Sequence, residues 1–375
     1  MRVVWAGTFR REVYRNRQWT RLFVQSGIQP REIREDLWEE GPLWALGSRR
    51  WSVLRRMPLQ YLRLLVRLLV EPSGDIYLVT YPGWFDVPTV WLASRIRRKP
   101  LAFDPFVSLW DTAVADRNLA TRSSVTSRTL RRVDRLALRL ADYVVADTHA
   151  HLRMYSEIAG RRLKGFVLPV GSDEAVFRPV VTEPVDDMLV SFYGTYVPLQ
   201  GVETVVGAAE LLPDVSFRII GDGQGRPVVE ELISELGLRN VELMDTVLYG
   251  ELPRVLSSAA ICLGIFGDSA KAGNVIPHKV YDYLAMEKPV ITRRSTAVEE
   301  MGLSDAVITV PPADPVALAD TISDLLRDET VRREVAARGR TVFESRYSSN
   351  ALARELQDFF KSVSDDRRRE LGLEL

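Results

Sequence analysis

The stretch Phe217-Arg218-Ile219-Ile220-Gly221-Asp222-Gly223-Gln224-Gly225 decides how this chain is read. An apolar run, the mark of a buried strand, breaks on a turn rich in glycine. Such a turn leaves backbone N–H groups bare and lets a ligand approach the main chain. Further along stands Asn274-Val275-Ile276-Pro277-His278-Lys279-Val280-Tyr281-Asp282, followed by Tyr283-Leu284-Ala285-Met286-Glu287-Lys288-Pro289-Val290-Ile291. This second stretch predicts a helix start, a helix and the next buried strand. Pro277 suits the first helical position because it has no N–H to leave unpaired. The free amides then belong to His278 and Lys279, at the positive end of the helix dipole, which suits a phosphate. Together the two stretches predict a nucleotide diphosphate site in an α/β domain.

Outward from this centre, short apolar strands alternate with amphipathic helices along nearly the whole chain. Strands are expected at residues 3–6, 76–81, 101–104, 143–146 and 166–169, and again at 189–193, 216–220, 241–244, 261–265, 290–292 and 307–310. Helices are expected at 201–212, 227–236, 277–286 and 315–326. This rhythm predicts parallel sheets with helices on both faces, in two blocks of similar size. The expected boundary is the proline- and acid-containing stretch 177–187. The reading is thus two Rossmann-like domains, 1–180 and 187–349, with ligand sites at the carboxyl ends of the strands. A last helix is expected from Asn350 to about Asp365, and the charged end after it as a solvated fray.

Bulk properties narrow the class. With 46% hydrophobic and 27% charged residues the chain reads as soluble and globular. The formal net charge is zero, so nucleic acid is not an expected partner. The single cysteine, Cys262, lies in an apolar run, reads as a core thiol and excludes an intrachain disulfide. Met1 leads almost directly into an apolar strand, so no secretory leader is expected. No uncharged apolar run reaches the roughly 18 residues that span a bilayer. The expected location is cytoplasmic, with a membrane surface still open as a partner.

The paired stretches resemble the carboxyl-terminal half of retaining GT-B glycosyltransferases of the glycosyltransferase-4 (group 1) type. The resemblance implies a nucleotide-sugar donor, a hydroxyl acceptor, a central cleft between the domains and no metal or other cofactor. In it, Gly194 and Gly201 match the phosphate loop, and Gly221 and Gly223 match the turn against the nucleotide. The loop's two customary cations are replaced by Thr195 and Gln200. Lys279 and Lys271 are the candidates to supply the missing charge, with Arg226 behind them. The family carries two glutamates eight positions apart, for sugar hydroxyls and for the ribose diol. Asn274 and Asp282 occupy those positions. A carboxylate suits a diol because it accepts two hydrogen bonds at once. In the first domain, Gly171, Asp173, Phe177 and Pro179 match a hinge signature and are read as structural. The terminal helix, 350–375, is expected to cross back to the first domain.

Other candidates come from the first block. Asp104, after a buried strand, occupies the place of a family histidine that touches donor sugar and phosphate. Asp111 and Asp116 follow it, and a carboxylate there could orient an acceptor hydroxyl. Asp147 reads as a helix cap. His149 and His151, two apart, do not share a helix face and argue against a zinc site. Arg10 or Arg15 would suit an anionic acceptor. Residues 49–70 hold arginines 49, 50, 55, 56, 63 and 67, interleaved with Trp51, Leu54, Met57, Leu62, Leu65 and Leu69, and no acid. Arg56, Arg63 and Arg67 share one helix face, and Pro58 is expected to start or kink the helix. A basic, leucine-rich amphipathic helix fits an anionic membrane surface.

The expected function is transfer of a sugar to a hydroxyl acceptor, such as a lipid-linked or cell-surface glycan precursor, with catalysis resting on Asp104, Lys279 and Lys271. A GT-B epimerase or phosphorylase shares the fold. A non-catalytic scaffold is kept open by Thr195, Gln200 and Asn274. A nicotinamide oxidoreductase fits least, because the first strand lacks a full glycine fingerprint.

Overall fold

The structure is a computed structural model that describes residues 1–37, 50–117, 119–180 and 185–370. The side chains of 50–54, 367, 368 and 370 lie outside that description, and so do Arg49 and residues 181–184 of the expected linker. The described chain forms two compact units: Met1–Pro169 together with the chain from Leu352 onward, and Val170–Ala351.

Unit 1 contains β1 (Val3–Gly7), α1 (Tyr14–Gln25), β2 (Arg31–Arg34), α2 (Arg50–Val70), β3 (Ile76–Val79), α3 (Asp86–Ile96), β4 (Leu101–Phe103), α4 (Val125–Leu140), β5 (Tyr143–Ala146), α5 (His149–Ala159) and β6 (Gly165–Val167). Its parallel sheet runs β2-β1-β3-β4-β5-β6. Alternation builds both of its cores. Val3 and Trp5 face one core with Ile76 and Leu78. Val4 and Ala6 face the other with Tyr77 and Val79. β2 escaped the sequence reading because only Ile33 of its four residues is buried, as suits an edge strand.

Unit 2 contains β7 (Asp186–Tyr193), α6 (Val202–Leu211), β8 (Ser216–Ile220), α7 (Arg226–Glu235), β9 (Val241–Met244), α8 (Leu252–Ser257), β10 (Ala259–Leu263), α9 (Ala270–Asn274), α10 (His278–Ala285), β11 (Val290–Arg293), α11 (Thr296–Glu300), β12 (Ile308–Val310), α12 (Pro315–Arg327) and α13 (Glu329–Val342). Its parallel sheet runs β12-β11-β10-β7-β8-β9. The chain leaves β7 in one direction and returns beside it as β10. A doubly wound sheet opens its ligand crevice at that reversal, outside the carboxyl ends.

Three expectations are revised. The boundary falls at Pro169/Val170, before the 177–187 stretch, because Ser172 and Phe177 contact Asp282 and Tyr249 inside unit 2. α2 begins at Arg50, so Pro58 lies inside the helix and does not start it. The last helix, α14 (Ser349–Glu370), runs past the expected end. There Asp366 accepts a hydrogen bond from the Tyr143 hydroxyl at 3.0 Å. Leu352, Leu356, Phe359 and Phe360 of α14 pack into the core of unit 1. Among the described residues, no helix is long and apolar enough to cross a membrane.

Candidate functional site

The reversal in unit 2 brings together segments that the sequence separates widely. β7 ends in Phe192-Tyr193 and turns at Gly194, whose amide donates to the Ile220 carbonyl at 2.9 Å. That contact closes the β7 turn on the β8 turn. Gly221 has φ +134, and a Cβ on it would collide with the Gly194 carbonyl. A side chain is thus barred at Gly221 twice, by conformation and by space.

Lys279 enters this turn from α10. Its Nζ donates to Gln200 Oε1 at 2.5 Å and to the Gly264 carbonyl at 3.3 Å. It also lies 3.5 Å from the centre of the Phe192 ring, a cation–π position. A Cβ on Gly194 would stand 2.7 Å from that Nζ and 3.1 Å from Gln200 Oε1. A side chain at 194 would therefore push the ends of Lys279 and Gln200 from their present positions. Lys279 is 1% exposed and has no carboxylate partner among the described residues. Burial pushes its pKa well below the ordinary lysine value. The structure thus joins two residues the sequence had only set side by side: Gln200, where a family cation is missing, and Lys279, offered as its replacement.

The start of α10 differs slightly from expectation. Pro277 is its N-cap, with φ −67 and ψ 149, so the first turn begins at His278. The amides of His278 and Lys279 remain in the first turn, where helical geometry supplies no acceptor. His278 and Asn274 are half-buried, and the His278 ring centre lies 5.9 Å from that of Tyr193. Lys271 is 7% exposed, on the short α9 that Ser269 caps. Thr195 and the Asp222 side of the glycine turn are exposed. Arg226 is committed elsewhere, to Glu230 at 2.8 Å and Asp245 at 2.6 Å.

Asp282 is fully buried. One oxygen accepts from the Ser172 hydroxyl and the other from the Tyr193 hydroxyl. In this conformation both sides of the carboxylate are held inside the unit, and a diol reaches it only by displacing a hydroxyl. The sequence reading missed those partners, and it missed Arg293. That guanidinium, at the end of β11, donates to the carbonyls of Gly267 and Ser269 and so braces the loop leading into α9. A basic residue closing a buried strand was the available signal.

Unit 1 treats its candidates differently. Asp104 and Arg15 form an ion pair at 2.7 Å with both side chains 0% exposed. Asp104 also accepts from Trp19 Nε1 at 2.6 Å and the Phe106 amide at 3.1 Å. Arg15 donates further to Gln18 Oε1 and the Leu168 carbonyl. Asp104 therefore closes a buried network, which corrects its expected presentation to a donor sugar. Arg15 likewise is not offered to an acceptor. Asp111 and Asp116 lie buried on a π-helical turn. Asp134 receives the amides of Leu109 and Trp110, and burial lifts its pKa to about 6. Thr148, not Asp147, caps α5. Asp147 instead meets His151 Nδ1 at 2.6 Å. On α2, Leu64 and Leu68 are buried, while Leu59, Leu62 and Val66 are exposed. Arg67 is neutralised by Glu35 and Glu71, each at 2.9 Å, which removes it from the expected free basic face.

Comparison with known proteins places this geometry. The family model described as Glycosyl transferases group 1 matches residues 188–328. Alpha-D-kanosaminyltransferase from Streptomyces kanamyceticus is 25% identical over 345 residues, which cover 85% of this chain and 83% of that protein. Sucrose-phosphate synthase from Thermosynechococcus elongatus has a TM-score of 0.73 at 15% identity, over 98% of this chain and 100% of that one. HepE from Anabaena, in complex with UDP-glucose, has a TM-score of 0.68 at 13% identity, over 96% and 100%. The two structural likenesses show the fold.

Proposed function

We propose, from the premise that this chain is a group 1 glycosyltransferase of the GT-B fold, that it moves a sugar from a nucleotide-sugar to a hydroxyl acceptor with retention of configuration. The premise fixes the class of enzyme. The donor follows from chemistry at the β7/β10 reversal, and one observation carries it: the Lys279 ammonium, without a carboxylate partner among the described residues, 2.5 Å from Gln200 Oε1 and against Gly194. A buried cation held only by neutral acceptors is strongly favoured by an incoming anion. The two glycine turns let a diphosphate approach the backbone, and the first turn of α10 carries the lysine that reaches the Gly194 turn. HepE, of like fold, is described with UDP-glucose, and the kanosaminyltransferase is named for sugar transfer.

On this reading Lys279 and the amides of His278 and Lys279 stabilise the charge that develops on the departing diphosphate. Lys271 assists from α9, and Asn274 contacts the sugar. Asp282 takes the ribose diol in exchange for the Tyr193 or Ser172 hydroxyl. No metal is required, because the positive charge comes from the chain itself. The acceptor is a lipid-linked or cell-surface glycan precursor. A peripheral stay at an anionic membrane rests on the exposed Leu59, Leu62 and Val66 of α2, with Arg55, Arg56 and Arg63 exposed beside them.

The test is nucleotide release from UDP-, GDP- and dTDP-sugars, with and without hydroxyl acceptors and with EDTA present. The anomeric configuration of the product is read by NMR. Acceptor-dependent release with the donor's configuration kept is the expected result. Release without an acceptor points to an epimerase or phosphorylase, an inverted product removes retention, and loss with EDTA removes metal independence. Equal sedimentation with neutral and anionic vesicles ends the membrane part alone.

A further inference from the structure

The opposite end of unit 1's sheet carries a feature that sugar transfer does not use. A cavity of about 910 Å³ opens at the amino ends of β4, β5 and β6, within the ~300–1,000 Å³ range of ligand sites. Lys99 stands just before β4, Asp142 before β5 and Lys164 before β6. The helices add Arg95 and Arg98 from the end of α3 and Arg139 from the end of α4, and the α5–β6 connection adds Arg161 and Arg162. Against these seven cations the lining holds one acid among the described residues, Asp142. The chain as a whole balances 50 basic against 50 acidic residues, so this imbalance is local.

The cations are partly compensated from within: Lys99 pairs with Asp75 at 3.9 Å and Lys164 with Asp366 at 3.5 Å. Asp142 is taken by Arg95 at 2.6 Å. Arg161 caps the carbonyls of Arg139 and Ala141. The guanidinium groups of Arg139 and Arg162 have no partner among the described residues. Like charges crowded around one concavity repel one another and focus a positive field.

Arg98 gives a second, independent sign. α3 ends in a full Schellman motif, with the Arg98 amide on the Arg95 carbonyl and the Lys99 amide on the Ser94 carbonyl. The position in the left-handed region is Arg98 itself, at φ +53. The corresponding turns after α1 and α5 use glycine, Gly27 at φ +67 and Gly160 at φ +66. At the end of α3, glycine is replaced by a long cation that lines the cavity, at a cost in backbone strain; the end of α10 carries the same strain at Glu287, φ +57. Trp91, under the Arg95 guanidinium at 5.9 Å, and Tyr143, under Lys164 at 5.6 Å, give the cavity an aromatic side.

We propose that this concavity binds a ligand carrying several phosphate groups. Five of its seven cations are arginines, whose planar forks match phosphate oxygens two at a time. With Arg95, Lys99 and Lys164 each paired to one carboxylate, the guanidinium groups of Arg139 and Arg162 leave more than one positive charge for a ligand to meet. Soluble polyphosphate compounds and a phosphorylated lipid headgroup share this chemistry. The site lies at the opposite edge of the sheet from Gly7, which ends β1, and from Asp104 and Asp147, which follow β4 and β5.

The experiment compares the full chain with the Arg98→Gly/Arg139→Gln/Arg162→Gln variant, both saturated with UDP. Each is titrated calorimetrically with sodium tripolyphosphate and sedimented with phosphatidylcholine vesicles with and without phosphatidic acid. Any phosphate binding in unit 2 is common to both proteins, so the difference belongs to the cavity. Loss of about tenfold affinity per removed cation is expected. Loss toward tripolyphosphate assigns a soluble ligand, loss toward phosphatidic acid vesicles alone assigns a headgroup, and loss toward both assigns the shared chemistry. Arg98→Gly by itself should melt about 1–3 °C higher, since glycine suits φ +53, and yet bind more weakly. A triple variant that binds as the wild type does, or a wild type that binds neither probe, overturns the proposal.

Discussion

Each unit buries a cation near the carboxyl edge of its sheet, and the two are treated in opposite ways. Arg15 in unit 1 has its counter-charge built in, with Asp104 at 2.7 Å and two further neutral acceptors. Lys279 in unit 2 has, among the described residues, an amide oxygen, a carbonyl and the faces of Phe192 and Tyr193. A buried charge costs several kcal/mol unless something compensates it. Unit 1 meets that requirement inside the fold, so its pair is closed. Unit 2 leaves it open, and burial drives the Lys279 pKa down in consequence. The difference teaches that a titratable residue in the right turn is not yet a site. What marks a site is charge left without a partner where a ligand can approach the backbone.

The largest effect should come from breaking the closed pair. Arg15→Met leaves Asp104 buried without its cation and should cost about 3–5 kcal/mol in urea unfolding. Adding Asp104→Leu should recover part of that loss, because no charge is then stranded. A single variant as stable as the parent would show that Arg15 and Asp104 are not the closed half of the comparison.

Next in size is the open cation. Lys279→Met should lower turnover by about a hundredfold or more, the scale for losing a preorganised donor to developing charge. The empty protein should be no less stable, since a desolvated ammonium is removed. Lys271→Ala should have a smaller effect. Gln200→Lys should partly rescue Lys279→Met, because residue 200 already touches the point where Nζ stands. Near-normal turnover of Lys279→Met, followed by steady-state nucleotide release, would place the positive charge elsewhere.

The smallest effect is a fraction of a proton. Lys279 is held below its ordinary pKa in the empty protein, and a diphosphate beside it would raise that value. Between the two values, binding takes up a proton, so affinity should tighten as pH falls through that window. The same depression means that the empty fold gains stability from Lys279 as pH rises and loses it as pH falls. Calorimetry of UDP binding in buffers of different ionisation enthalpy reads the uptake directly. Identical enthalpies in all buffers would mean that Lys279 is already fully charged.

The α/β alternation, the parallel strands, the glycine turn after β8 and, to within one residue, the helix start expected at Pro277 and found at His278 were all legible in the sequence. Each follows from local rules: side-chain period, φ requirements and helix-end chemistry. β2 was not legible, because an edge strand with one buried residue carries no apolar signal. Nor was the division of α2, where Leu64 and Leu68 face the core while Leu62 does not.

Pairing is where the sequence ran out. Gln200 and Lys279 are 79 residues apart, Arg15 and Asp104 are 89 apart, and Ser172 and Asp282 are 110 apart. Residue type alone offered Asp104 and Lys279 on equal terms. Strand order and register then gave Asp104 an arginine and a tryptophan, and gave Lys279 a glutamine and a ring. The basic cavity has the same origin, since its residues precede three different strands and meet only because β4, β5 and β6 are neighbours. By itself the sequence determined which local structures form and where a backbone can receive a phosphate. Only the tertiary structure decided which charges are cancelled, because electrostatic energy depends on distance in space and on burial, and neither is a property of position along the chain.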